Sequence, residues 1–404
     1  MSMPKVFNVT GLCIPERNYM VDITGRIQAI IAGYIRKNKY FVINRARQYG
    51  KTTLLYGLEE RLKAEYLVLS LSFEAADEYF QSSYALAEGL VMDVADCLRS
   101  QNVPEEIINS WSAPVSERFP MRELGKRITR LCQSCDRRSV LIIDEVDKSS
   151  DNQVFLSFLG LLRAKYLEQQ KKRDMTFQSV ILAGVYDIKN LKLKLHPDQE
   201  PKYNSPWNIA ADFRIDMSFS EEETASMLAE YESDHGTGMD IALISRLIYA
   251  YTSGYPYLVS RICQLTDECI AGTEIFPDKK NAWTREGISA AEMLLRRESN
   301  TLFDDMAKKF ADYPDLKSLL KDILFKGSSF PFDPDNHLIR LGITFGFLKE
   351  KNGNVAIQNR IFETKMYDLF LSEDSVDSII YRRAAADRNQ FLPAIITLRL
   401  KPEI

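Results

Sequence analysis

Residues 44 to 53 read NRARQYGKTT. The second half has the glycine, lysine and threonine of a phosphate-binding loop. The full pattern, G-x-x-x-x-G-K-[ST], asks for a first glycine where this chain carries Arg45. The tripeptide alone is weak, because a Gly-Lys-Ser/Thr arises by chance in roughly one in five chains of this length. Its flanks carry more weight. KYFVIN, Lys39 to Asn44, is a short β-branched and aromatic run, and KTTLLYGLEERLKA after it has helical periodicity. Strand, loop and helix in that order is the setting a phosphate loop requires, because a helix N-terminus turns free N–H groups toward an anion.

Outward from the loop, YLVLSLSF (Tyr66 to Phe73), SVLIIDEVD (Ser139 to Asp147) and SVILAGV (Ser179 to Val185) read as buried strands. Helical patterns at Tyr79 to Ser100 and Gln153 to Lys172 lie among them, with a looser region around Pro104, Pro114 and Pro120. The alternation predicts an α/β fold with a parallel sheet covered on both faces. Ligands are then expected at the carboxyl ends of the strands. SVLIIDEVD supplies what such a site needs. Asp144 falls at the tip of its strand, where a carboxylate can hold a magnesium shell through water. Glu145 follows at once, placed to polarise an attacking water. Asp147 reads as a solvated or capping carboxylate. Two motifs in matching contexts make chance a poor account of either.

In this reading the N–H groups of Gln48 to Thr53 form an anion nest, Lys51 reaches the β- and γ-phosphates, and Thr52 sets its hydroxyl on magnesium. Arg47, Gln48, Tyr49, Gly50, Lys51, Thr52 and Thr53 are the candidate nucleotide-binding residues of the loop. Lys51 and Glu145 are the candidate catalytic residues, and Thr52 and Asp144 the candidate Mg2+ ligands. Arg45 removes no donor, since every residue except proline supplies an N–H. It does exclude backbone angles that only glycine adopts cheaply, so the loop must enter differently. Arg45 and Arg47 either add positive charge near the phosphates or pack on the surface against acids.

From about Ser220 the pattern turns wholly helical. SEEETASMLAEY opens with a serine N-cap and an acidic first turn, and Ile241 to Ala250, Tyr257 to Ala271 and Ser289 to Arg297 continue the series. After Asn300, short helices lead to FGFLKEKNGNVAIQN, whose Asn352-Gly353 predicts a two-residue hairpin turn. Helices followed by a hairpin suggest a winged helix. The expected division is a core with its N-terminal lead-in (1–219), a helical lid (220–298), a winged helix (299–372) and a tail (373–404). The tail, with YRRAAADRNQ, fits none of these units and shows no spaced Asp, Glu and Lys set after Arg388.

The 404 residues carry 52 Lys and Arg against 56 Asp and Glu, a net charge of -4, which gives no support to a broad nucleic-acid surface. No run approaches the ~18 apolar residues of a membrane span, and MSMPKVFNVTGLCIPE lacks the basic start and apolar stretch of a signal peptide. The expectation is a cytoplasmic protein without a membrane partner. The six cysteines suit reduced thiols packed as small hydrophobes. Cys132 and Cys135 form a C-x-x-C on a helical pattern, but no second pair accompanies it and His196, His235 and His337 are widely separated. A zinc or redox site is therefore the weaker reading.

INRARQYGKTTLL (Ile43 to Leu55) resembles the RQxGKT loop of the bacterial AAA-like ATPases allied to the STAND and archaeal ATPase groups. VLIIDEVD (Val140 to Asp147) matches their Walker B motif, FNVTGLCIPERNYMVD (Phe7 to Asp22) is similar to their lead-in, and TSGYPYLVSRIC (Thr252 to Cys263) looks like their GxP signal. The likeness covers roughly residues 5 to 372 and departs at Arg45. It implies a P-loop ASCE core that binds ATP with Mg2+, a helical lid whose Pro256 approaches the nucleotide, and a winged helix. Relatives of this kind often continue into a nuclease-like domain of the PD-(D/E)xK type, of which the tail would be a remnant. On physical grounds alone, Gly254-Tyr255-Pro256 is equally a turn before a helix with proline at its first position. GTP is disfavoured because no NKxD follows the core, and Tyr19 is either an adenine-stacking ring or a core residue.

Three functions fit. The first is a slow, switch-like ATPase in which nucleotide binds between core and lid and hydrolysis resets the lid and winged helix. A second is a non-hydrolysing module, in which nucleotide is structural and the winged helix engages DNA or protein. The third is a motor, which needs an arginine finger from a neighbour; Arg163 and Arg173 are candidates by position. The oligomeric state stays open.

Overall fold

The computed structural model describes residues 4–149, 152–185 and 207–374. Four strands, β1 (Phe41–Asn44), β2 (Leu67–Ser72), β3 (Ser139–Asp144) and β4 (Ser179–Gly184), pair in parallel in the order β1-β4-β3-β2. Parallel pairs need long crossovers, and helices supply them. Helix α1 (Thr24–Ile30) precedes the sheet and α2 (Lys51–Leu62) joins β1 to β2. Between β2 and β3 lie α3 (Ser83–Ser100), α4 (Glu105–Trp111) and α5 (Pro120–Ser134), and α6 (Gln153–Gln170) leads to β4. Because β4 lies between β1 and β3, the two motif-bearing strands are not neighbours, yet their carboxyl ends open on the same edge.

Side chains alternate across the sheet with the period of two that a strand imposes. Phe41, Ile43, Val140, Ile142, Ile181 and Ala183 belong to one apolar cluster, whereas Tyr40, Val42, Leu141, Ile143, Val180 and Leu182 belong to a second. Helices α3 to α6 cover the second face. The first face packs on α1 and α2, and its cluster runs on into the lead-in and the C-terminal helices, so that Phe7, Leu54, Tyr255 and Phe370 share one core.

One helix starts later than its periodicity suggests. Tyr79 sits in a 3-10 turn (Asp77–Gln81), and α3 begins at Ser83 under a Ser82 cap. The Tyr79 ring lies over Gly89, where a Cβ would come within 2.4 Å of it. That fold-back requires the break.

Beyond the sheet come α7 (Glu221–His235), α8 (Ile241–Thr252), α9 (Pro256–Leu265), α10 (Lys279–Ala282) and α11 (Arg285–Arg297). Ser220 and Glu223 form a reciprocal capping box at the start of α7, and Pro256 is at the first position of α9. Next are α12 (Thr301–Asp312), α13 (Pro314–Lys326), α14 (His337–Thr344), β5 (Leu348–Lys351), β6 (Asn354–Ile357) and α15 (Arg360–Asp374). Strands β5 and β6 pair antiparallel around Asn352 (φ 53°) and Gly353 (φ 78°), the doubly left-handed backbone of a tight hairpin turn. Three helices followed by a hairpin are the winged-helix arrangement. Among the described residues no helix is long and apolar enough to cross a membrane. The part of the expected tail beyond Asp374 lies outside the described residues.

Candidate functional site

The loop after β1 enters without a left-handed residue at position 45. Its positive φ angles fall later, at Gln48 (55°) and Gly50 (76°). Arg45 donates its backbone N–H to the Gly184 carbonyl at 3.1 Å, so the first residue of the loop still continues the β1–β4 ladder. Its guanidinium turns aside, donating to the Asn44 and Ile215 carbonyls at 2.9 Å each and lying 5.2 Å from the Phe213 ring. Arg45 thus packs away from the loop mouth. Arg47 does the opposite and lines the cleft, with Nη1 3.4 Å from Asp305 Oδ1.

Lys51 opens α2 and is only 8% exposed. Its ammonium donates to the carbonyls of Arg45 (2.9 Å) and Ala46 (3.0 Å), so one of its three protons is left to face the cleft. Burial lowers its pKa, against the pull of Asp147, Glu145 and Asp144. The Thr52 hydroxyl donates to Asp144 Oδ2 at 3.4 Å, which places the two candidate magnesium ligands side by side. The Thr53 hydroxyl is engaged elsewhere, accepting the Cys13 N–H at 3.2 Å.

Asp144 ends β3 and accepts the Glu145 N–H at 2.9 Å, while Glu145 itself is held at φ 56°. A non-glycine residue costs free energy in that region, and such strain concentrates at functional sites. Burial raises both carboxyl pKa values, and for Glu145 the neighbouring Asp144 charge adds to the rise. Asp147 is neither a free solvated group nor a helix cap: it lines the cleft, and its Oδ2 accepts the Val185 N–H at 2.5 Å. Gly184 permits the approach, since a Cβ there would lie 2.7 Å from Asp147 Oδ1. Asp144, Glu145 and Asp147 all act on Lys51, and carboxylates are donors that a divalent cation such as magnesium takes. Among the described residues no three His, Cys, Asp or Glu side chains form an all-protein metal cage. Magnesium needs none, because it is held by one or two protein groups with phosphates and water.

Beside them opens a cleft of about 660 Å³, lined by Arg47 to Leu54, Glu145, Asp147, the lead-in around Val9 to Cys13, Pro256 and Tyr257; Asp144 is not among the lining residues and meets the cleft through Thr52. The size suits a nucleotide-scale ligand. Pro256 packs directly on the loop, with its Cβ 4.0 Å from where a Cβ on Gly50 would stand. Tyr255 anchors the same junction, stacking edge-on with Tyr49 at 4.6 Å and donating its hydroxyl to the Arg47 carbonyl. Tyr19 is core: it is 3% exposed, packs between Phe7 and Tyr231, and donates to Asp234 at 2.8 Å. The cleft wall near it is built instead by Met20, Val21 and Ile23.

Sequence reasoning missed the α12 wall. Asp305, Lys308 and Lys309 line the cleft, and Gln48 donates its amide to the Thr301 hydroxyl at 3.0 Å. Nothing in the spacing ties residue 48 to residue 301; a charged i, i+3 pair on an amphipathic helix reads as ordinary surface. Arg163 and Arg173 do not line the cleft. Cys132 and Cys135 are free thiols, and burial pushes Cys132 up to about 12.

No protein-family model matches the chain. In sequence it is 23% identical over 346 residues to an uncharacterized WD repeat-containing protein of Synechocystis sp.. That alignment covers 81% of this chain and 27% of the relative, so the chain spans well under half of that protein's length. In structure it is similar to a Walker-type ATPase of Pyrococcus abyssi, with a TM-score of 0.56 at 12% identity, covering 89% of this chain and 99% of that one. The ORC2 protein of Aeropyrum pernix aligns over 86% of this chain and 94% of its own at 10% identity, with a TM-score of 0.46. The first likeness extends over nearly the whole of both chains, and with the strand order and the loop it shows that this chain has the P-loop NTPase fold.

Proposed function

We propose that this protein is a Mg2+-dependent ATPase of the AAA-like, STAND-related kind, acting as a nucleotide-dependent switch. The observation that carries the reading is the convergence of Lys51, Thr52, Asp144 and Glu145 at the carboxyl edge of the sheet, with Thr52 Oγ1 3.4 Å from Asp144 Oδ2. The residues present fit an ATP-magnesium complex: Gln48 to Thr53 line the cleft at the start of α2, where their N–H groups would meet phosphate, Lys51 would neutralise phosphate charge, and Thr52 and Asp144 would hold the metal. Bound magnesium would supply charge neutralisation at the phosphates. Glu145 orients a water and takes its proton, and Pro256 and Tyr257 wall the site from the lid side. Boundaries near residues 219, 298 and 372 belong to the same proposal, as does a cytoplasmic setting, which suits six free thiols. The Synechocystis relative, a WD repeat-containing protein only partly covered by this chain, supports a switch that serves attached or partner modules.

The winged helix is the proposed partner surface, for DNA or protein. Its α14 is preceded by Asp333 and Asp335 and carries a single arginine, Arg340. Phosphate contacts dominate DNA affinity, so this favours a protein partner. Lys51→Ala tests the nucleotide site: a fluorescent ATP analogue that binds wild type should no longer bind the variant, and unchanged affinity refutes the assignment. Turnover of ATP by the purified chain, with and without DNA, separates the switch from a non-hydrolysing nucleotide-stabilised module.

A further inference from the structure

The phosphate loop is gripped from the C-terminal side at three consecutive residues. A Cβ on Gly346 would stand 2.7 Å from the Ala46 Cβ, the Arg47 carbonyl accepts the Tyr255 hydroxyl, and Gln48 donates to Thr301 at 3.0 Å. To these contacts the Arg47 side chain adds a charge contact with Asp305, one turn into α12. That pair is weak by its geometry. Its 3.4 Å separation is long for a charge-assisted hydrogen bond, and the arginine side chain is 61% exposed whereas the aspartate is 19% exposed. Asp305 is therefore fixed by the helix while Arg47 is free to leave it.

The position of Arg47 selects what it can leave for. In the nucleotide reading the loop N–H groups and the buried Lys51 grip the polyphosphate from within the cleft, Lys51 at the β- and γ-phosphates. Arg47, its side chain 61% exposed, lines the same cleft, as does Lys308. We infer that Asp305 is a positioning residue that holds Arg47 in reserve, and that Arg47 passes from Asp305 to the outermost phosphate when a nucleoside triphosphate binds. This rests on the nucleotide reading above. Its consequence is that α12, part of the winged-helix unit, distinguishes triphosphate from diphosphate through one exchanged ion pair.

An exposed pair of this kind is worth about 0.2–1 kcal/mol, which caps the competition at roughly fivefold in affinity. The test titrates fluorescent ATP and ADP analogues into the full chain with magnesium. Asp305→Asn should tighten the ATP analogue about two- to fivefold and leave the ADP analogue within about twofold. Asp305→Glu, which can keep the pair, should return the ratio toward wild type. Arg47→Ala should loosen ATP selectively, and in that background Asp305→Asn should have no further effect. Equal shifts for both nucleotides, no shift in either, or a full Asp305→Asn effect without Arg47 would each overturn the exchange while leaving the nucleotide site standing. Absence of binding by wild type would instead overturn the underlying reading, and this inference with it.

Discussion

Replacing Gly254 by alanine tests how the lid is joined to the core. Gly254 has φ +72°, and a Cβ there would lie 2.0 Å from the Phe219 carbonyl oxygen. The two backbones are also tied, since Phe219 donates its N–H to the Gly254 carbonyl at 2.8 Å. Relief of the contact needs a separation of about 1 Å, which breaks that hydrogen bond. The left-handed backbone costs an L-residue about 1 kcal/mol, the lost hydrogen bond about 1 kcal/mol, and overpacking between rigid segments about 1–3 kcal/mol. The expected loss is about 3–5 kcal/mol, a large share of the 5–15 kcal/mol that holds a typical domain together. Gly236→Ala is the control: its φ is +57° and nothing lies within 4 Å of the added Cβ, so only the backbone cost of about 1 kcal/mol applies. Urea denaturation followed by circular dichroism compares the two. Equal destabilisation by both substitutions refutes the close-approach argument. Phe219 also lines the cleft, so Gly254→Ala should weaken binding of an ATP analogue as well.

Glu145→Gln should keep nucleotide binding and slow hydrolysis by about a hundredfold or more, the usual range for loss of a general base; wild-type turnover in a single-turnover assay would remove Glu145 from the chemistry. Pro256→Ala should change protection from proteolysis by ATP, because the proline joins the lid to the loop at Gly50; identical protection in both proteins would reduce it to a helix start. Asp174→Asn should destabilise the fold by about 3 kcal/mol, because Lys165, 5% exposed, donates to Asp174 and Thr129 at 2.7 Å each. Burial alone would raise the Asp174 carboxyl, but hydrogen bonds from Lys165 and Thr129 outweigh it and hold the pKa below its ordinary value. Its contribution is therefore present at neutral pH and lost as pH falls through the lowered folded value. A variant whose denaturation midpoint matches wild type at pH 7 but not at pH 3 would contradict that sign.

The local parts of the site were legible because each is written in a short contiguous run. Periodicity marks β1 and α2 on either side of the loop, an unbroken apolar stretch ending in Asp144 marks β3, and Asn352-Gly353 marks the hairpin. Arg45 shows the limit. Its type disfavours a left-handed entry, but its destination on Phe213 and Ile215 depends on residues 168 and 170 positions away. Asp147 was misread because its partner, the Val185 N–H, belongs to another strand's end. Asp305 had no signal at all. A carboxylate on a helix face is recognised as part of a site only when the fold brings Arg47 to it.

The two faces of the sheet also differ in when they can be finished. Helices α3 to α6 and β1 to β4 build the second cluster, which Trp207 and Ala210 complete just past the middle of the chain. The first cluster waits for Phe362, Met366 and Phe370, which pack with Ile43 and Tyr255 in the same core. At synthesis rates of about 5–20 residues per second, the interval between the emergence of Gly184 and that of Phe370 is roughly 10–40 s. During it the nascent chain presents an apolar face that α1 and α2 cover only in part, beside the half-built nucleotide cleft. Such surface is what chaperones bind and what aggregates, so the ribosome-bound chain should depend on a holdase over that interval and lose the dependence once α15 has docked.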